Sequence, residues 1–111
     1  MVKNLQGIDY GAGLQAMLKN AEVAPGGDER KEGRGGLADY NSLGYVSSAY
    51  ERCLTRTFEY SNCDFAIATV ADRLGKQDIA NKYYKNASNW QNTWNDKITS
   101  LGFSGFAWPR N

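Results

Sequence analysis

Thr55-Arg56-Thr57-Phe58-Glu59-Tyr60-Ser61-Asn62-Cys63-Asp64-Phe65-Ala66-Ile67-Ala68 sets Arg, Glu, Asn and Asp inside an otherwise apolar helical pattern. Residues three or four apart share a helix face, so Arg56, Glu59, Asn62 and Cys63 fall in one narrow polar stripe. Leu54, Phe58, Phe65, Ala68, Ala71 and Leu74 recur at helical spacing on another face, which reads as the core side. The bland reading of the polar stripe is a solvated surface.

Working outward, this helix is expected from about Ala49 to Leu74, with Gly75 as a left-handed C-terminal stop. A second helix starts near Asp78 and carries Ile79, Tyr83, Ala87, Trp90 and Trp94 as a stripe facing the first. The short connection makes the two an antiparallel hairpin. Upstream, Asp9 reads as the N-cap of a helix from about Tyr10 to Val23, with Leu14, Met17, Leu18 and Ala21 inward. Ala24 to Asp28 stops that helix, Glu29 to Gly36 is a charged, glycine-rich loop, and Ala38 to Asn41 forms a short helical turn. Asn95 to Asn111 mixes glycine, proline and aromatics without a clear period and is expected to be a packed loop. The fold class expected is therefore all-α.

Composition excludes several chemistries. The 111 residues include no histidine, so neither a Ser-His-Asp triad nor a His-ligated zinc can arise within the chain. The net charge is +1 with dispersed Lys and Arg, which gives little electrostatic support for nucleic acid. No apolar run reaches bilayer length and no signal-peptide pattern is present, so no membrane role is expected. Gly33-Arg34-Gly35-Gly36 lacks the Gly-Lys-Ser/Thr ending of a phosphate loop. Cys53 and Cys63 on one straight helix lie roughly 15 Å apart, too far for a disulfide. Asn86-Ala87-Ser88 is a glycosylation acceptor by pattern.

Several short motifs occur in a telling order. Gly33-Arg34-Gly35-Gly36-Leu37 is followed by Leu43-Gly44-Tyr45-Val46 and then by Arg56-Thr57-Phe58-Glu59-Tyr60 with Asp64-Phe65. Beyond them come Leu74-Gly75-Lys76, Ser88-Asn89-Trp90-Gln91-Asn92, and Gly102-Phe103-Ser104-Gly105-Phe106 with Pro109-Arg110. This series resembles glycoside hydrolase family 92, the calcium-dependent α-mannosidases, most closely its fungal branch. The resemblance covers nearly the whole chain. It implies that the chain is an internal fragment of the catalytic domain: a helical hairpin segment, with long loops, of an (α/α)6 toroid. The parent is then an inverting exo-α-mannosidase acting on N-glycans or mannans, secreted or passing through the secretory pathway.

An inverting glycosidase needs two carboxyl groups flanking the sugar with room for water between them. The resemblance places both in segments outside this chain, so the isolated chain is expected to be inactive and to depend on the remainder of the parent domain. It also implies a share in the Ca2+ and mannose sites. Glu59 is the expected substrate and metal ligand, with Asn62 and Asp64 as further metal ligands, since calcium prefers oxygen. Cys63 stands where family members commonly carry Asn or Asp, and a thiol is a poor calcium ligand. Arg34 is the second expected substrate-binding residue; otherwise it is a solvent-exposed loop cation. For Glu59 the bland alternative is a salt bridge to Arg52 or Arg56, and for Asp64 a buried hydrogen bond between helices. The competing class is a non-enzymatic helical-repeat module of the tetratricopeptide type, which requires a period near 34 residues that the sequence lacks.

Overall fold

The computed structural model describes residues 3–111. Helix α1 spans Tyr10–Glu22, α2 Leu37–Leu43, α3 Cys53–Arg73 and α4 Gln77–Asn86. A 3-10 turn over Asn89–Thr93 leads into strands β1 (Trp94–Ser100) and β2 (Phe103–Ala107).

Asp9 caps α1 as its sequence context dictates, its carboxylate accepting the Ala12 amide at 2.9 Å. α3 begins later than expected, because Arg52 takes a left-handed φ of 57° that helical residues cannot continue upstream. Its far end stops as expected at Gly75, φ 73°. The three residues Leu74 to Lys76 then return the chain into α4, closing the hairpin. α1 lies across this hairpin. Leu14 and Ala21 from α1 meet Ile67, Ala68 and Ala71 of α3 and Ala80 and Tyr83 of α4 in one buried cluster. Alanines fully buried at 68, 71 and 80 bring the helix backbones close together. A second cluster joins Tyr40 of α2 to Val46 and Tyr60.

Other expectations fail: α4 ends at Asn86, so Trp90 lies in the 3-10 turn and Trp94 in β1 instead of on a helical stripe. The chain is not all-α: β1 and β2 pair antiparallel, with Ser100 opposite Phe103 and Trp94 opposite Ala107. Leu101 and Gly102 form the two-residue turn, both at positive φ (51° and 83°), the conformation that matches strand twist. Ile98, Thr99 and the flanking aromatics favour a pleated ribbon. The period is hidden by an irregularity: Asn95 to Thr99 advances four residues while Phe106 to Ser104 advances two. Gly105 sits beneath the Trp94 ring, where a Cβ would lie 2.6 Å from Cζ2.

The core face of α3 is also different. Ala68 and Ala71 are buried as expected, but Phe58 and Phe65 are exposed, stacking on Trp90 and packing edge-on to Tyr84 respectively. The buried face is instead Arg56, Thr57, Tyr60, Ser61, Asp64, Ile67, Ala68 and Ala71. Polar groups occupy half of it. Thr57 shows how they are accommodated: its Oγ1 accepts the Val46 amide at 2.9 Å and donates to the Cys53 carbonyl at 2.8 Å.

Burial pushes the Tyr40, Tyr83 and Tyr60 hydroxyls above the ordinary phenol value. In the unfolded chain these groups ionise near pH 10, as free phenols do. Above that pH the unfolded state sheds protons that the folded state retains, so stability falls as pH rises. Urea unfolding midpoints should therefore hold steady from pH 8 to about 9.5 and fall steadily beyond about 10. Midpoints constant to pH 11 would contradict the burial of these hydroxyls.

Candidate functional site

Arg56, Tyr60 and Asp64 lie four residues apart, one above another along α3. All three reach the glycine-rich loop. Arg56 Nη2 donates to the Glu29 carbonyl at 3.0 Å, and the Tyr60 hydroxyl donates to the Gly35 carbonyl at 3.0 Å. Asp64 Oδ1 lies 2.7 Å from Arg34 Nη1. Gly35 is required by this closeness, since a Cβ there would sit 2.7 Å from Arg56 Nη1.

Arg34 is 3% exposed and Asp64 0%. The guanidinium lies 5.1 Å from the centroid of the Tyr60 ring and 6.0 Å from that of Tyr40, which adds cation–π attraction in a desolvated setting. Tyr40 donates its hydroxyl proton to Asp64 Oδ2 at 2.9 Å. Burial pushes the Asp64 carboxyl up, while the Arg34 charge and the Tyr40 hydrogen bond pull the other way. Arg34 is therefore no solvated loop cation. Asp64 joins α3 to the loop and α2 in a buried clamp.

Glu59 sits about 140° around the helix from Asp64. It is exposed, on the rim of a cleft shared with Arg52, Arg56, Thr55 and the 29–33 loop. Neither Arg52 nor Arg56 forms an ion pair with it among the described residues. Asn62, also exposed, borders a shallow groove with Phe58, Phe65 and Trp90. Glu59, Asn62 and Asp64 do not converge, and no three His, Cys, Asp or Glu side chains among the described residues form a metal-sized group. Calcium takes about six to eight oxygens. Glu59 and Asn62 are exposed oxygen donors that border different clefts, and Asp64 is committed to the buried clamp.

Sequence reasoning missed Tyr40 and Tyr60. For Tyr60 a signal was present in the four-residue spacing of 56, 60 and 64 on one helix face; for Tyr40, on α2, there was none.

Over most of its length this chain, with its hairpin and clamped loop, is similar to glycosidase catalytic domains. The glycosyl hydrolase family 92 catalytic domain matches residues 1–111, and the chain belongs to that family. A protein of Arthroderma benhamiae described as an uncharacterized secreted glycosidase is 36% identical over 93% of this chain. An inverting family 92 mannosidase from Bacteroides thetaiotaomicron superposes with a TM-score of 0.78 over 94% of the chain, at 30% identity. A second α-mannosidase of that bacterium, solved with mannoimidazole, gives 0.73 over 86% at 27% identity. The chain spans 15% of the fungal relative and 16% and 12% of the two bacterial chains. Family membership displaces the helical-repeat alternative. No helix among the described residues is long and apolar enough to cross a membrane.

Proposed function

We propose that this chain is part of the catalytic (α/α)6 domain of an inverting, calcium-dependent exo-α-mannosidase that removes mannose from N-glycans or mannans in the secretory pathway or outside the cell. The observation that carries this reading is the similarity, over 94% of the chain, to a solved inverting mannosidase of the same family. The mannoimidazole complex of a second relative and the secreted description of the fungal one support the substrate class and location.

In this reading Glu59 presents its carboxylate to mannose and to calcium, and Asn62 adds an oxygen one turn away. Bound calcium would supply a hard positive charge that orients sugar hydroxyls. Arg34 acts on the sugar site indirectly, by fixing the loop whose other side borders the Glu59 cleft. Asp64 belongs to the clamp and not to the metal shell. The general acid and general base come from the remainder of the parent domain.

The test is hydrolysis of an aryl α-mannoside by the intact parent domain and by the 111-residue chain alone. The intact domain should lose at least about 90% of its rate on treatment with a chelator and regain it with calcium, as expected for metal-dependent binding. The isolated chain should show none. Chelator-insensitive hydrolysis, or turnover by the isolated chain, would overturn the proposal.

A further inference from the structure

Asn86-Ala87-Ser88 is a motif that the mannosidase reading leaves without a role. Of the asparagines from Asn4 to Asn95, Asn86 alone has Ser or Thr two positions on, with a residue other than proline between. We propose that Asn86 is an N-glycosylation site, carrying an oligosaccharide on its side-chain nitrogen in the parent protein. The inference rests on the secretory location proposed above and not on the roles of Glu59 or calcium.

The fold presents the triplet openly. Asn86 is the last residue of α4, and Ala87 and Ser88 form the turn that leaves it. Helix ends fray, so the triplet can open to a modifying enzyme while α3 and the buried clusters stay in place. Ser88, whose hydroxyl completes the acceptor pattern, is exposed. Asn86 is half-buried, yet its amide is uncommitted among the described residues: Tyr40 reaches only its backbone carbonyl, at 3.4 Å.

A purely structural asparagine would look different. Asparagine is a weak helix former, and where it terminates a helix it takes the left-handed position beyond the last turn. Here Asn86 is still helical and the cap is Ala87, at φ −59°. Neither propensity nor capping accounts for asparagine at this position. Its side chain borders a cleft of roughly 600 Å³ beside α2 and α4, within the range that accommodates small organic groups, so the first N-acetylglucosamine ring has space. That cleft shares no lining residue with the one at Glu59, and an attached glycan stands clear of the proposed metal site.

The transfer asks nothing of this chain beyond the amide. The donor is an oligosaccharide joined through N-acetylglucosamine to a lipid pyrophosphate, and the host's transferase brings the two together. Asn86 Nδ2 forms a bond to the anomeric carbon, the bond from that carbon to the pyrophosphate oxygen breaks, the amide loses one proton and the lipid pyrophosphate departs. No electrons are exchanged.

The test uses the intact parent protein expressed in a eukaryotic host, once with its own N-terminal region and once behind a foreign secretion leader. Treatment of the secreted protein with peptide-N-glycosidase should convert Asn86 to Asp in the tryptic peptide 86–97, and untreated protein should lack that conversion. Asn86→Gln and Ser88→Ala should each abolish the glycosidase-sensitive gel shift that belongs to this site, whereas Ser88→Thr should keep it. Either of the first two variants suffices if the other is not secreted. Secreted protein from the foreign-leader arm with Asn86 wholly unmodified would overturn the proposal. Retention inside the cell under the parent's own N-terminal region would remove the secretory location and the modification together. Failure of the mannosidase reading appears separately, as chelator-insensitive hydrolysis.

Discussion

Asp64→Ala should lower the unfolding free energy by about 3–5 kcal/mol, the usual result of stripping one partner from a buried ion pair. The cause is the charge left behind: Arg34, 3% exposed, would keep a guanidinium with no carboxylate near it. Tyr40 would lose the acceptor of its hydroxyl at 2.9 Å. The loop would remain tied to α3 only through Arg56 and Tyr60. Such a loss is a large share of the stability of a small domain, so the variant should lose its cooperative urea transition or shift it strongly. Arg34→Met combined with Asp64→Leu should restore most of the stability, because two apolar side chains leave no charge to desolvate. A loss under about 1 kcal/mol for Asp64→Ala, the range of solvated pairs, would mean that the clamp is open to water.

What could be read in advance from this chain follows a physical line. Local signals were legible: the Asp9 cap, the glycine-rich break after α1 and the Gly75 stop each depend on a few adjacent residues. The hairpin of α3 and α4 followed from its short connector. The buried face of α3 was not legible, because hydropathy places Phe58 and Phe65 inside and Arg56 in a solvated polar stripe. The tertiary structure inverts this, since Asp64 finds Arg34 thirty positions upstream and the two phenylalanines find Trp90 and Tyr84 at the surface. No local pattern encodes such a pairing. The β-ribbon was hidden for a different reason: its irregular register breaks the period of two by which strands are recognised. The order of the Gly-Arg-Gly-Gly and Arg-Thr-Phe-Glu-Tyr segments pointed to the family. Their physical connection, Arg56 and Tyr60 gripping Glu29 and Gly35, emerged only in three dimensions.

Asp64 holds the structure together from the inner face of α3, whereas Glu59 faces outward, where it is proposed to serve the sugar and the metal. Glu59→Gln keeps the size of the side chain and removes its charge at an exposed position. Surface substitutions of this type ordinarily change stability by no more than about 0.5 kcal/mol. The measurement that separates the two roles is the pair of thermal stability and kcat/KM for this single variant of the intact catalytic domain. The account predicts an unchanged unfolding midpoint with kcat/KM for an aryl α-mannoside reduced at least about 100-fold, the upper end of the range for weakened metal sites. It also predicts a higher calcium concentration for half-maximal rate. An unchanged kcat/KM with unchanged calcium dependence would contradict it.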